Sequence, residues 1–401
     1  MARPEEIRLV HITTVWQTLR FFSGQIGFMR AQGIAVTAIA SPHERLQWFG
    51  ETQGIKVHGV PMLRSIAPLH DLRALIALVR VLQEIRPTIV HSHTPKGGLL
   101  GMIAAWLCRI PVRVYHLHGL PLVTAHGMKR RLLWMSDWLA CRLAHQVLCV
   151  SASLRDLVIA EGLCPQAMVK TLHHGSINGV DAKGLYNPHG YGSEERRKTR
   201  AQYDIPPDAL VVGYVGRIVR DKGVAELVTA WQSLRNLFPA AHMLVVGQAE
   251  PQDPVPAAAM QAMSCDPRIH RTGHVIEGLP ELYLAMDVVA LPSYREGMAV
   301  VPLEAAAMQL PVVATRIPGC VDTVVDGQTG TLVAPGDADA LAEALHQYLA
   351  DPELRQRHGA AGRNRVLDRF RQEDIWEATY AEYQRLLAQL GITAAQTPSA
   401  R

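Results

Sequence analysis

Two glutamates stand eight residues apart in the segment PSYREGMAVVPLEAAAMQLPVVAT, residues 292–315, which leads from a turn-rich stretch into an Ala-rich helix. Pro302 suits the first turn of a helix, so Glu304 is expected near the positive N-terminal end of that helix and Glu296 in the loop before it. Carboxylates in this arrangement are poor at sharing a proton, but each can accept hydrogen bonds from two hydroxyls. The pattern predicts that Glu304 binds a ribose diol and that Glu296 binds sugar hydroxyls. The alternative for Glu304 is a favourable first-turn acid without a ligand.

The backbone at the start of the same predicted helix could also bind a ligand. The first NH groups of a helix lack intrahelical partners, and the helix dipole favours negative charge at this end. A phosphate or sugar oxygen is therefore expected near the NH groups of four consecutive residues, Gly297, Met298, Ala299 and Val300.

The loop in GYVGRIVRDKG is suited to a diphosphate. Gly216 and Gly223 allow close approach of the backbone, and between them Arg217 offers a planar fork and Lys222 a mobile point charge. A solvated turn without a ligand is the alternative. The chain contains neither a G-x-x-x-x-G-K-[ST] loop nor a G-x-G-x-x-G fingerprint, which excludes the common phosphate-binding motifs.

Two histidine pairs, HSH at 91–93 and HLH at 116–118, each place two imidazoles on one side of a strand. That geometry is acceptable for a divalent metal in a hydrolase. Neither pair has a neighbouring carboxylate, and histidines at strand ends are more often satisfied by hydrogen bonds. We therefore expect no metal, and a metal-dependent hydrolase remains an alternative.

The segment TPKGGLLG, residues 94–101, lies between a predicted strand and an apolar helix. Lys96 and the NH groups of Gly97 and Gly98 could form an anion site suited to the diphosphate of an acceptor. A simple tight turn is the alternative.

These groups require a scaffold, and the chain indicates one by alternating short Val- and Ile-rich runs with helix-length segments. Such a pattern predicts parallel sheets covered on both faces. We expect an α/β fold with two doubly wound, Rossmann-like domains facing a central cleft, in which ligands bind at the carboxyl ends of the strands. The predicted parts are an N-terminal domain at 1–175, a linker at 176–208, a C-terminal domain at 209–372 and a helix at 373–395 that returns toward the N-terminal domain.

The composition is that of a globular protein: of the 401 residues, 48% are hydrophobic and 19% are charged. Residues 1–170 contain 19 Lys and Arg against 9 Asp and Glu, whereas residues 171–401 contain 21 against 27, so the first part should face an anionic partner. Six cysteines occur without a C-x-x-C pair, and the first residues lack a signal-peptide pattern, which together favour a reducing cytoplasm. The strongest apolar run, LLGMIAAWLC, is too short to span a bilayer.

The segment HGMKRRLLWMSDWLACRLAHQ predicts an amphipathic helix. Lys129, Arg130 and Arg131 accompany Trp134 and Trp138, a combination typical of helices that lie on an anionic membrane surface. A helix with core tryptophans and a solvated charged face is the alternative. Nucleic acid is not an expected partner, because no RNP, helix-turn-helix or Cys-His signature accompanies the basic residues.

Together, GRIVRDKG, SYREGMAVVPLEAAAMQLPVVAT and DGQTGTLV resemble the retaining GT-B glycosyltransferases of family four, whose hallmark E-x7-E corresponds to Glu296 and Glu304. The likeness covers residues 210–350. It extends more loosely to the whole chain, because VHSHTPKGGLLGMIAA and HLHG are similar to the first domain of the bacterial surface-polysaccharide branch. One segment departs from the family: TTVWQTLRFFSGQIG lacks the Gly-Gly pair that many members carry after the first strand.

The resemblance implies a hexosyltransferase that takes a hexosyl or N-acetylhexosaminyl group from a UDP-sugar, retains the anomeric configuration and requires no metal or other cofactor. The second domain would bind the donor and the first the acceptor. For the nucleotide, the resemblance implies that Arg217 and Lys222, beside Gly216, bind the diphosphate and that Glu304 binds the ribose. The backbone at His274 and Val275 would bind the uracil. Glu296, with the backbone of Gly297 and Met298, would bind the donor sugar, and His118 would lie near the reacting sugar.

The implied acceptor is a saccharide linked to a lipid such as undecaprenyl diphosphate, used in capsule, exopolysaccharide or O-antigen synthesis. The implied location is cytoplasmic, peripheral on the inner face of a bacterial plasma membrane. A non-hydrolysing UDP-sugar epimerase has the same two-domain architecture and remains an alternative. A sugar-nucleotide-binding module without activity is another.

Overall fold

A computed structural model describes residues 7–251 and 253–392 of the chain. The strands are β1 Arg8–Ile12, β2 Ala35–Ala40, β3 Lys56–Gly59, β4 Ile89–His93, β5 Val112–Leu117, β6 Gln146–Cys149, β7 Val169–Lys170, β8 Leu210–Val215, β9 Ala241–Val246, β10 Ile269–Gly273, β11 Val288–Leu291, β12 Val312–Thr315 and β13 Gly330–Val333. The α-helices are α1 Ser23–Ala31, α2 Glu44–Gln53, α3 Pro68–Ile85, α4 Pro95–Leu107, α5 Gly127–Leu143, α6 Ala152–Ala160, α7 Ser193–Gln202, α8 Val224–Leu237, α9 Ala257–Cys265, α10 Leu279–Leu284, α11 Val300–Ala307, α12 Cys320–Thr323, α13 Ala338–Ala350, α14 Pro352–Arg369 and α15 Gln372–Gln389. Short 3₁₀ helices occur at Trp16–Phe22, Pro121–Thr124, Gln166–Met168, Pro188–Gly190 and Arg220–Lys222.

The chain forms two compact units. The first contains the described residues up to Gly179 together with those from Gln372 onward, and the second is Val180–Arg371. Residues 1–6 of the predicted N-terminal domain and 393–395 of the predicted C-terminal helix lie outside the described residues.

The first unit contains a parallel sheet in the order β3-β2-β1-β4-β5-β6-β7. The strand order reverses direction between β1 and β4, so the loops that follow these two strands flank a topological switch point. Buried apolar residues form most of the central strands, because both faces of a parallel sheet are covered by helices.

The second unit contains a parallel sheet in the order β10-β9-β8-β11-β12-β13, and its switch point lies between β8 and β11. Alternate residues of β8 enter different cores, since Val212 and Tyr214 pack in one buried cluster and Val211 and Val215 in another. The sheet is thus buried on both faces. The prediction of two doubly wound parallel-sheet domains is confirmed.

The segment predicted as a linker, 176–208, is largely built into the second unit. Its helix α7 carries Arg200, which is 2% exposed. The Arg200 guanidinium donates to the carbonyl oxygens of Ala285 and Ala209 and pairs with Asp287 at 3.0 Å. A buried arginine with this many partners anchors the segment to the sheet instead of leaving it as a free connection.

The C-terminal helix α15 packs within the first unit, where it contacts α1. Ile375 and Tyr383 are buried, and the indole NH of Trp376 donates to Asn178 at 2.7 Å. The ring of Trp376 lies 6.0 Å from that of Phe28 on α1. Among the described residues, no helix combines the length and the apolar character that crossing a bilayer requires.

Candidate active site

The carboxyl ends of β8 and β11 carry the residues that the sequence predicted for the diphosphate and the sugar. Gly216 and Arg217 follow β8, and Glu296 lies in the segment between β11 and α11. β8 and β11 pair directly, so both segments leave the sheet at the same edge, beside the switch point.

Lys222 and Glu296 meet across this point. The Lys222 Nζ lies 2.5 Å from Glu296 Oε1, and the two side chains are only 18% and 12% exposed. A charged hydrogen bond in such a half-enclosed setting holds both groups in one geometry. A residue predicted to bind phosphate and a residue predicted to bind sugar are therefore in contact, although 74 positions separate them.

Arg217 is more open, with 49% of its side chain exposed. Its Nη1 lies 2.7 Å from Glu250 Oε2 in the loop after β9, and its carbonyl oxygen accepts a hydrogen bond from the buried Tyr214 hydroxyl at 2.7 Å. The backbone is thus fixed while the guanidinium stays accessible. An exposed ion pair of this kind contributes little to stability, so a ligand can displace Glu250 at small cost.

Gly223 explains how the two loops come so close. Its φ is +66°, and a Cβ atom there would lie 1.9 Å from the carbonyl oxygen of Pro292, the residue directly after β11. A larger residue would separate the loop after β8 from the loop after β11 and would break the contact between Lys222 and Glu296.

Helix α11 begins at Val300, so Pro302 lies in its first turn, as the sequence predicted. Glu304 is consequently in the second turn, and the alternative of a simple first-turn acid is wrong. The residues predicted to offer NH groups, Gly297, Met298, Ala299 and Val300, form the approach to the helix and its first residue. Gly319 packs against them so closely that a Cβ atom would lie 2.7 Å from the Gly297 carbonyl oxygen.

The Glu304 carboxylate accepts two phenolic hydrogen bonds. The Tyr186 hydroxyl donates to Oε1 at 3.0 Å and the Tyr283 hydroxyl donates to Oε2 at 2.8 Å. Burial raises the pKa of Glu304 to about 7, and the two tyrosines oppose this rise because they stabilise the carboxylate. Each carboxylate oxygen retains acceptor capacity, which suits the vicinal hydroxyls of a ribose.

The residues predicted to meet the base follow the edge strand β10. His274 is exposed, while Val275 is partly buried against the core. They are placed at the same edge of the sheet as Arg217, since β10, β9 and β8 run parallel. A role in binding uracil stays a prediction.

Sequence reasoning missed the residues that support these ligands. Asp221 pairs with Arg295 at 2.6 Å, and the Tyr294 hydroxyl donates to Glu226 at 2.6 Å. The first pair joins the 3₁₀ helix after β8 to the segment after β11, and the second joins the first turn of α8 to that same segment. The only available signal was the opposite charge of Asp221 and Arg295, each adjacent to a predicted ligand.

In the first unit, His118 follows β5 and is half-buried. Its Nε2 lies 3.0 Å from His93 Nδ1, and burial lowers the pKa of His118 to about 4. His118 is therefore neutral at pH 7. The segment without a Gly-Gly pair contains the 3₁₀ helix Trp16–Phe22 and the start of α1. The Phe22 ring lies 4.5 Å from that of His93.

The anion site predicted at the start of α4 is not formed as expected. Lys96 Nζ binds both carboxylate oxygens of Asp71, at 2.6 and 2.7 Å. The NH of Gly97 donates to Thr14 Oγ1 at 3.0 Å, and the NH of Gly98 donates to the Thr94 carbonyl at 2.7 Å. These NH groups are used inside the protein because both glycines are buried within α4. Contact of Lys96 with an acceptor stays a prediction.

Comparison with known proteins shows what the chain is similar to. Residues 195–365 match the family model described as Glycosyl transferases group 1, and residues 20–175 match the Glycosyl transferase 4-like domain. The chain is 32% identical over 380 residues to the capsular polysaccharide biosynthesis glycosyltransferase CapM of Staphylococcus aureus, which covers 95% of this chain and 97% of that protein.

Two further proteins are similar. The chain is 26% identical over 306 residues to an Escherichia coli UDP-Gal:alpha-D-GlcNAc-diphosphoundecaprenol alpha-1,3-galactosyltransferase, covering 75% of this chain and 76% of that protein. A crystal structure of Anabaena HepE in complex with UDP and glucose superposes with a TM-score of 0.78 at 22% identity, covering 95% of this chain and 100% of the other.

Proposed function

The chain belongs to the GT-B glycosyltransferases of family four, and from this premise we propose that it transfers a hexosyl or N-acetylhexosaminyl group from a UDP-sugar to a lipid-linked saccharide during surface-polysaccharide synthesis. The observation that carries the proposal is the group of charges at the β8–β11 switch point. Arg217 and Lys222 supply cations there, and Glu296 and Glu304 supply acceptors.

Each part of this group suits one part of a sugar nucleotide. The guanidinium of Arg217 can bind a diphosphate through two NH groups, and the ammonium of Lys222 can serve another phosphate oxygen. Glu304, fixed by two tyrosines, fits the ribose hydroxyls. The HepE structure was solved with UDP and glucose, and CapM acts in capsule synthesis, which supports a sugar nucleotide as donor.

The proposed chemistry relies on stabilisation of the leaving group. As the bond between the anomeric carbon and the phosphate oxygen breaks, negative charge grows on UDP, and preorganised cations lower the energy of that state. Lys222 leaves Glu296 for the diphosphate, which frees the Glu296 carboxylate for sugar hydroxyls. The acceptor hydroxyl attacks from the face that the phosphate leaves and passes its proton to that phosphate, so configuration is retained. In this proposal, neither the departure of UDP nor the attack by the acceptor hydroxyl requires a metal.

A lipid-linked acceptor would explain an apolar surface on the first unit. The helix α5 exposes Met128, Leu132, Met135 and Leu139 at helical spacing, with Met128 67% exposed. The helix α3 exposes Leu69, Leu72 and Ile76, with Leu69 76% exposed. Both helices pack on α4, so we define this surface as the α3–α5 face.

The charges and aromatic residues of α5 agree with docking of this face on a membrane. Trp134 and Trp138 stack at 6.2 Å, and Arg142 lies 5.5 Å from the Trp138 ring. Apolar residues next to Lys129 and Arg131 are the combination that binds an anionic leaflet. The E. coli relative is named for a diphosphoundecaprenol acceptor, which supports a peripheral position on the inner face of the plasma membrane.

The test is a transfer assay with a panel of UDP-hexoses and undecaprenyl-diphosphate-linked saccharides in detergent, with product configuration read by NMR. We expect one donor to give an α-linked product from an α-configured donor. Hydrolysis without transfer would contradict the proposal. Formation of a UDP-sugar epimer in the absence of acceptor would identify an epimerase instead.

A further inference from the structure

Five histidines gather in the first unit, and no step of the proposed transfer uses the group as a whole. His11 lies on β1, His91 and His93 on β4 and His116 on β5, with His118 just beyond β5. Strand register creates the group, because His11 pairs with His91 and His93 pairs with His116 in adjacent parallel strands.

The imidazoles are enclosed but incompletely hydrogen-bonded. His11 Nδ1 lies 3.0 Å from His93 Nε2, and His93 Nδ1 lies 3.0 Å from His118 Nε2. His11 Nε2, His91 Nε2 and His116 Nδ1 are buried without a hydrogen-bond partner in the described structure. A buried polar atom without a partner is destabilising, which is a reason to look for a ligand.

Three of these residues have the arrangement of a metal site. His11, His91 and His93 are all buried, and each offers one ring nitrogen within 4.8 Å of the others. Nitrogens that bind one zinc ion at about 2.0–2.1 Å lie roughly 3 to 3.5 Å apart, so a small contraction would complete the site.

The surroundings of the three residues orient them as ligands. The Tyr383 hydroxyl lies 2.6 Å from His91 Nδ1, which leaves His91 Nε2 for an ion. His93 can carry its proton on Nδ1 and donate it to His118 Nε2, which leaves a lone pair on His93 Nε2. This nitrogen lies 3.0 Å from His11 Nδ1, and an ion bound by both nitrogens would replace the hydrogen bond between them. Hydrogen bonds of this type at the second ring nitrogen are the usual support of ligating histidines.

The chemical type of the ligating atoms indicates which metals would bind. Within the described part of the chain, the group consists of histidines only, without carboxylate or thiolate. Imidazole suits zinc, copper, nickel and cobalt, whereas magnesium, calcium and manganese favour oxygen ligands.

We propose that His11, His91 and His93 bind one divalent transition-metal ion of the zinc type. This site is independent of the donor diphosphate, whose ligands are in the other unit. By holding His93 through Nε2, the ion fixes the proton of His93 on Nδ1 and thereby makes His118 Nε2 an acceptor.

The experiment uses tag-free, chelator-treated protein and equilibrium dialysis against Zn²⁺, with metal measured by mass spectrometry. We expect one Zn²⁺ per chain and no retention of Mg²⁺. His91→Gln should weaken binding at least about tenfold, and Tyr383→Phe by about 10- to 100-fold, as expected when a ligating imidazole loses the hydrogen bond at its other ring nitrogen. The matched control is His116→Gln. The His116 ring stacks on His91 at 5.3 Å, but His116 is not one of the three proposed ligands and belongs to a second histidine group, with His93 and His118, so affinity should change less than about threefold.

Folding of each variant is checked by thermal denaturation. If His91→Gln does not fold, the wild-type Co²⁺ complex still decides, because X-ray absorption should show three imidazole nitrogens. Lack of Zn²⁺ binding by the folded wild type would overturn the proposal, as would loss of binding in His116→Gln with full binding in His91→Gln. These are binding measurements, so they do not depend on whether the protein transfers sugar.

Discussion

Glu304 is the residue whose chemistry depends most on its surroundings. Burial raises its pKa to about 7, and the hydroxyls of Tyr186 and Tyr283 keep it from rising further. Since a ribose diol needs an ionised acceptor, UDP binding should depend on the protonation of one carboxyl group. The sequence predicted Glu304 as a ligand but not its tyrosine partners, because Tyr186 is 118 positions away and lies in a segment without a motif.

We expect UDP affinity to be full above pH 8 and to fall as the pH drops through 7, because protonation of Glu304 removes the acceptor. Tyr283→Phe should move this loss to higher pH, since it removes a bond that stabilises the carboxylate. Calorimetric titration of UDP from pH 5.5 to 8.5 measures both effects. The control is Tyr294→Phe, which loses a bond to Glu226 and none to Glu304, so the pH at which its UDP affinity falls by half should equal that of wild type.

The raised pKa of Glu304 also affects folding stability, but in the opposite direction: UDP affinity should rise with pH, whereas the stability contributed by this residue should fall. The pKa of the Glu304 carboxyl is about 4.3 in the unfolded chain and about 7 in the folded protein. The contribution of Glu304 to the free energy of unfolding is therefore full below about pH 4.3 and is lost as the pH rises through about 7. Glu304→Gln should therefore lose less stability than wild type between pH 5 and 8. Urea denaturation at both pH values checks this, and parallel pH curves for the two proteins would contradict it.

Arg217 is expected to act on the transition state. Arg217→Ala should lower kcat/KM by about 10² to 10³-fold, which corresponds to roughly 2.7–4 kcal/mol, because it removes one preorganised cation beside the leaving diphosphate. Steady-state kinetics with the preferred donor measure the loss. Arg220→Ala removes an exposed arginine from the same loop and should stay near the wild-type rate; equal losses in the two variants would show a general charge effect.

At the scale of elements, periodicity and apolar runs predicted the strands well, whereas element boundaries and packing partners required the fold. The strands β8 and β11 follow directly from LVVGYVGR and VVALPS. Pro302 was expected in the first turn of α11 and lies there as its third residue, whereas Glu304 falls just beyond that turn. Arg200 anchors the predicted linker to the second unit. The burial of this charged residue could not be predicted from any local sequence pattern.

The α3–α5 face gives a prediction about membrane binding. Lys129→Ala combined with Arg131→Ala should weaken binding to anionic vesicles by about 30-fold, since each basic residue near the surface contributes about 1 kcal/mol. Leu132→Ser with Met135→Ser should weaken it as well, but with less dependence on salt. Sedimentation with phosphatidylglycerol vesicles is the measurement.

The matched control for the vesicle experiment is Leu237→Ser, because Leu237 is as exposed as the leucines of α3 and lies in the second unit. It should sediment like wild type. Unchanged sedimentation of the α5 variants would remove the α3–α5 face as the membrane contact, without affecting the assignment of the donor site.

At the scale of the whole molecule, the order of the parallel strands brings together functional residues that are far apart in the sequence. The switch point joins Lys222 to Glu296, and the register of β1, β4 and β5 joins His11 to His91 and His93. The first could be expected from two recognisable motifs. The second could not, since His11 belongs to no pattern and reaches the pairs HSH and HLH only through strand pairing.

The central claim is that a UDP-sugar binds at the β8–β11 switch point of the second unit. Its most direct test is a crystal structure of the protein grown with UDP. We predict diphosphate oxygens at hydrogen-bond distance, about 2.7–3.2 Å, from Arg217 and Lys222, with the ribose hydroxyls on Glu304 and the Lys222–Glu296 contact broken. UDP bound elsewhere, with Lys222 still paired to Glu296, would contradict the account.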